Sequence, residues 1–303
     1  MRISTNAFYN SVSGTVSRLQ NELGDLTIRM AEEKRVSKPS DDPQASIIIN
    51  RTHTELAASD AKKTLWDSAL RTQQQVDATL SQITEQLTSA VNTAMRAQQT
   101  TSQSDTTQLT AAESLRSISE AILNAANTKL GDRYLFAGFQ DQDIPFTSAA
   151  DIVTYNGDAN QLTVPLGAGR TCPVSVTGSR LFNFDGAVDG VSGNVFEVLE
   201  NIAQALEDGD TTAISTNTDQ LNKLYNHVVG LRGSVGSWEV RLQANRDALD
   251  ELDIRYQEIL SSEESMDLAD GITEYKARET TYKAVLEVFS QLMSMPTMFD
   301  LLR

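Results

Sequence analysis

The sequence predicts a mainly α fold with a β insert: a long antiparallel helical, coiled-coil bundle formed by both chain termini, plus a small β-rich outer domain. Three observations predict it. Glycine and proline, the strongest breakers of regular structure, concentrate in one stretch. No glycine occurs between Gly24 and Gly131, and no proline between Pro43 and Pro145 or between Pro173 and Pro296, whereas nine glycines fall from Gly131 to Gly193. Apolar residues in both arms recur at alternating spacings of three and four, the heptad period of a coiled-coil seam. The breaker-rich stretch between the arms carries short β-branched runs beside an Asn-Gly-Asp turn signal.

Val12, Val16, Leu19, Leu23, Leu26 and Met30 form the first seam. Pro43 starts the next helical stretch. The residue before a proline avoids the helical region, and proline suits the first helical turn. This makes Asp42 the helix cap and Pro43 the first helical residue, with Asp41 adding favourable charge at the same N-terminus. The clearest seam of that stretch is Val76, Leu80, Ile83, Leu87, Ala90, Ala94 and Ala97, and a third runs through Leu109, Ala112, Leu115, Ile118, Ile122 and Ala125. In the insert, Ile152–Tyr155 and Gln161–Val164 flank Asn156-Gly157-Asp158 as two strands, and Cys172–Val176 is an edge strand because Pro173 removes a ladder donor. Beyond the insert, Phe196, Leu199, Ile202 and Leu206 predict a short helix. Trp238, Leu242, Asn245, Leu249, Leu252, Tyr256 and Ile259 continue the pattern, with Asn245 as a polar core position able to fix register. The glycines of Gly230–Gly236 read as a loosened helix or turn. The last seam is Ile272, Tyr275, Glu279, Tyr282, Leu286, Phe289 and Met293, out of phase with the one before, so a break or kink is expected at Gly271.

An apolar stripe must be buried, and its simplest partner is the arm returning from the other end. The expected organisation is a terminal coiled-coil assembly domain (1–40 and 265–303), a helical core domain (41–135 and 194–264) and a β-rich outer domain (136–193). The charge distribution agrees. The net charge is −16, yet residues 1–40 carry +2 and residues 265–303 carry −2, so the acidity lies in the body. An acidic surface repels phosphate backbones, which argues against a nucleic-acid partner. No run is apolar and long enough to cross a membrane, and the opening Met1–Asn6 lacks the apolar region of a cleavable signal peptide.

Little in the sequence suggests catalysis. Cys172 is the single cysteine and reads as a small buried hydrophobe. His53 and His227 lack metal-ligand spacing to each other or to Cys172. There is no nucleophile elbow, phosphate-binding loop or dinucleotide fingerprint. The expectation is a non-enzyme with no catalytic residues, no cofactor and no metal.

Several segments together resemble the hook-associated protein 3 family of the flagellin superfamily, the hook–filament junction proteins. They are Ile3-Ser4-Thr5-Asn6; Lys34-Arg35-Val36-Ser37-Lys38-Pro39-Ser40-Asp41-Asp42-Pro43; Ala126-Asn127-Thr128 followed by Gly131 and Arg133-Tyr134-Leu135-Phe136-Ala137-Gly138; Pro145-Phe146; and Phe299–Arg303. The family often has Ser-Gly where this chain has Glu32-Glu33. The resemblance implies an extracellular structural subunit of the bacterial flagellum, exported unfolded and uncleaved through the type III channel, with terminal seams that are loose in the monomer. It implies self-association into a ring, contact with hook-associated protein 1 and flagellin, an export chaperone, and a template role for flagellin. Assembly contacts are then expected at Val12, Val16, Leu19, Leu23, Leu26 and Met30 on one arm and Ile272, Tyr275, Tyr282, Leu286, Phe289 and Met293 on the other. Alternatives are a flagellin-type filament subunit, or a secreted helical adhesin that uses the β insert.

Overall fold

A computed structural model describes residues 2–99, 105–149 and 152–294. The described elements run, in chain order, α1 (Arg2–Ala31), α2 (Pro43–Gln99), α3 (Asp105–Ala126), β1 (Lys129–Leu130), β2 (Arg133–Tyr134), β3 (Phe146–Ala149), β4 (Ile152–Tyr155), β5 (Thr163–Gly167), β6 (Arg170–Pro173), α4 (Gly178–Leu181), α5 (Val195–Asp208), α6 (Thr211–Glu264) and α7 (Leu268–Ser294). The chain is thus mainly helical, with three small antiparallel sheets, β1–β2, β3–β4 and β5–β6. It forms two compact units, Met1–Asp60 with Asp250–Arg303, and Ala61–Leu249.

The 61–249 unit holds one large core. The seam Val76 to Ala97 of α2 is buried throughout, against Ala112, Leu115 and Ile122 of α3, Phe196, Leu199, Ile202 and Leu206 of α5, and Leu221, Leu224 and Val228 of α6. Asn194 caps α5 with its side chain and forms a reciprocal capping box with Glu197; Gly209 closes the helix in the left-handed conformation. Residues of the insert enter the same core. Phe146 packs edge-on against Phe182 at 5.2 Å and at a tilt against Tyr155 at 5.1 Å. A second cluster seats the β5–β6 hairpin on α2 and α6, with Val164, Leu166, Cys172 and Val174 against Trp66, Leu70 and Leu242. Trp66 Nε1 donates to Pro165 O at 3.0 Å, and Gln73 Nε2 to Pro173 O at 2.7 Å.

Four local expectations are corrected. The strand Ile152–Tyr155 pairs with Phe146–Ala149, not with 161–164, which instead begins the β5–β6 hairpin. The Asn156-Gly157-Asp158 segment is therefore no hairpin turn. Its backbone is drawn off to another loop, with Asn156 N donating to Pro145 O and Asp158 N to Ala137 O. The glycines 230–236 lie inside the unbroken α6, anchored by buried Val228, Leu231 and Val235. Asn245 is half-buried rather than a core position, and it donates to Arg241 O of its own helix at 2.7 Å. The break before α7 falls at residues 265–267 rather than at Gly271. There, Asp267 Oδ1 accepts from Ala269 N at 2.8 Å and starts the new helix.

The Arg133–Gly138 and Pro145–Phe146 motifs prove to be one packing knot. Leu135, Phe136 and Ala137 are buried. Phe136 O accepts from Gly178 N at 2.8 Å and from the Tyr155 hydroxyl at 2.9 Å. Asn127 bonds Phe146 reciprocally, Nδ2 to its carbonyl at 3.0 Å and Oδ1 from its N–H at 3.1 Å, as a neighbouring strand would.

Candidate functional site

In the terminal unit, α1 and α7 pack antiparallel. The Tyr9 and Phe289 rings meet at a tilt with centroids 5.5 Å apart, Arg278 bonds Glu22 at 3.0 Å, and Met30 reaches Gly271. The α1 seam is the inward face of this pair: Leu19 and Leu26 are buried, and Val12, Val16, Leu23 and Met30 are half-buried. On α7, Tyr275, Tyr282 and Phe289 are half-buried, while Ile272 and Leu286 are exposed. The Met293 side chain, the side chains of Ile3–Asn6 and the motif Phe299–Arg303 lie outside the described residues. Tyr9 was missed by the sequence reading, although it continues the α1 seam at a spacing of three before Val12.

A strap from Glu32 to Asp42 fastens the end of α1 to the α6–α7 break. Met266 N donates to Glu33 O at 2.9 Å, and Arg35 N donates to Glu264 O at 2.7 Å, an antiparallel bridge centred on Lys34 and Ser265. Lys34 Nζ meets Glu264 Oε1 at 2.5 Å, and this hydrogen bond raises the Lys34 pKa. Arg35 reaches Glu263 O at 2.8 Å with one nitrogen and Asp42 Oδ2 at 2.9 Å with another. Asp41 Oδ2 accepts from the backbone of Ser37 and Lys38. Asp42 Oδ1 accepts from Ala45 N at 3.0 Å, in capping position for α2 with Pro43 as its first residue. That backbone bond first, and Arg35 second, hold the Asp42 carboxyl below its ordinary range. The basic and acidic residues of the Lys34–Pro43 element thus serve geometry. Among the described residues, no three His, Cys, Asp or Glu side chains converge as metal ligands, and no helix is long and apolar enough to cross a membrane.

The terminal unit has little interior. Its buried apolar side chains among the described residues are Leu19, Leu26, Val36 and Ala45; every other buried apolar residue belongs to the 61–249 unit. Meanwhile Ile28, Ile47, Ile254, Ile272 and Val288 are each at least 45% exposed.

No protein-family model matches the chain. It is 25% identical to the flagellar hook-associated protein 3 of Salmonella typhimurium over 324 aligned residues that span both chains completely. It is 24% identical to that of Escherichia coli, covering 97% of this chain and 98% of the other. Its curated relatives are flagellar hook-associated proteins. The fold is similar to that of hook-associated protein 3 from Legionella pneumophila, with a TM-score of 0.62 over 71% of this chain and 98% of that one, at 14% identity. Of the motifs that carry the resemblance in sequence, Lys34–Pro43 lies in the strap and Arg133–Gly138 with Pro145–Phe146 forms the packing knot.

Proposed function

We propose that this chain is a structural subunit of the bacterial flagellum, placed at the hook–filament junction, and that its terminal unit is the polymerising part. The observation that carries the reading is the thin core of that unit. Two antiparallel helices with so few buried side chains have little core of their own, and isolated helices are marginal in water without a packing partner. Packing many copies side by side into a ring would supply that partner. The seam residues Val12 to Met30 and Tyr275 to Phe289 then hold the helix pair together, and neighbouring subunits meet around it. Full-length similarity to hook-associated protein 3 supports the junction position. Export in an unfolded state through the type III channel, contact with hook-associated protein 1 below and flagellin above, a dedicated export chaperone, and templating of flagellin all belong to this proposal.

Deleting the gene in its own bacterium tests it. Expected are hooks without filaments by electron microscopy and flagellin monomers released into the medium. Hooks with no flagellin anywhere would make the chain the filament subunit instead, and normal filaments would overturn the flagellar reading.

A further inference from the structure

The α6–α7 break brings two thioethers onto one bare backbone. A Cβ placed on Gly271 would lie 2.8 Å from Met266 Sδ and 3.3 Å from Met30 Cγ. Gly271 is buried, and the two methionines fill the space that a side chain there would need. Met266 is half-buried, not sealed in the core. Its own backbone N–H is one of the two bonds that close the strap, donating to Glu33 O. Side chain and backbone of one residue therefore join α7 and the strap, the first at Gly271 and the second at Glu33.

We propose that Met266 is a site of oxidative modification, and that its sulfoxide unfastens the strap from the α6–α7 break. The reagent class is a two-electron peroxide oxidant. The sulfur lone pair attacks one peroxide oxygen, an S–O bond forms, the O–O bond breaks and water leaves; the thioether is oxidised and the peroxide reduced. The added oxygen is polar and sits on an atom already pressed against Gly271. Either it meets the glycine backbone or the side chain rotates outward, and both lose the contact that holds Met266 over the break. This inference stands apart from the flagellar reading, since it concerns the folded chain alone.

The test treats the full chain with hydrogen peroxide, assigns oxidised methionines by peptide mass spectrometry, and follows amide hydrogen exchange in peptides covering 32–36 and 263–268. Met95, exposed on α2 in the other unit, reports the oxidant dose. Expected is oxidation of Met266 with about tenfold faster exchange of the Arg35 and Met266 amides. The Met266→Leu variant, a volume-conserving change, should show no acceleration after equal oxidation of Met95. Met30→Leu should still show it. The proposal is overturned if Met266 stays reduced while Met95 is fully oxidised, or if it oxidises without faster exchange. It is equally overturned if Met266→Leu accelerates like the native chain, or if Met30→Leu abolishes the effect.

Discussion

Glu33 sits with φ at +57°, a backbone region that costs an L-residue about 1–2 kcal/mol and glycine almost nothing. The reason is the way α1 ends. Lys34 N donates to Arg29 O and Glu33 N to Met30 O, the paired bonds of a Schellman closure whose left-handed position is Glu33. The resemblance already marked this place, since the family often has Ser-Gly where this chain has Glu32-Glu33. The Glu33 side chain is exposed, so nothing packed is lost on removing it. Glu33→Gly should therefore stabilise the terminal unit by about 0.5–1 kcal/mol, after allowing for glycine's greater freedom when unfolded. An unchanged or lower melting temperature would sink this account. Tyr155 makes the opposite case, a residue whose side chain is essential. Its hydroxyl proton is shared between Phe136 O and Asp158 O, and burial pushes its pKa up to about 12. The folded chain therefore keeps the phenolic proton after the unfolded chain, at about pH 10, has begun to lose it. The stability it contributes is present below pH 10 and is lost as pH rises through 12. Tyr155→Phe should be less stable at pH 7 by about 1–2 kcal/mol. The gap to the native chain should narrow from pH 10 to 12 in denaturant titrations.

Along α6, Gly230, Gly233 and Gly236 lie in continuous helix, and a Cβ on any of them would meet nothing within 4 Å. They weaken the helix without serving packing. Replacing all three with alanine should add about 0.5–1 kcal/mol at each position, and a fall in thermal stability followed by circular dichroism would refute this. What the sequence could and could not reveal follows the same element-level physics. The α2 seam from Val76 to Ala97 was fully legible because alternating spacings of four and three keep one face turned inward. The α3 seam failed at its start. From Leu109 through Ala112, Leu115 and Ile118 the spacing is three each time, so at about 100° per residue the stripe turns back by about 60° per step. Leu109 accordingly points outward, 49% exposed, while Leu115 is fully buried. The strands were harder. Ile152–Tyr155 has candidate partners on both sides, and the choice of Phe146–Ala149 rests on long-range bonds of Asn127, Asn156 and Asp158 that no local period encodes. The strap was legible at Asp42, whose capping role is local, and illegible in the bonds of Lys34 to Glu264 and of Arg35 to Glu263, which join residues more than 200 positions apart.

At the scale of the whole molecule, the buried apolar side chains are shared very unevenly between the two units. Stability follows buried apolar area, at roughly 25 cal/mol per Å², and isolated helices are marginal in water. The terminal unit should therefore unfold at lower temperature than the 61–249 unit, and calorimetry of the full chain should resolve two transitions, the smaller one first. Hydrogen exchange should agree, with α1 and α7 exchanging long before the Val76–Ala97 segment of α2. Leu19→Asp gives the sharpest form of this prediction. Leu19 is 8% exposed at the α1–α7 contact, and a carboxylate forced there costs several kcal/mol. That exceeds what so small a core can hold. The first transition should vanish while the second keeps its temperature, because the large core contains no residue of α1 or α7. If the second transition falls as well, the units do not unfold independently. If the variant still forms rings at the native concentration, a folded α1–α7 pair is not what neighbouring subunits recognise, and the polymerising surface must be sought elsewhere on the chain.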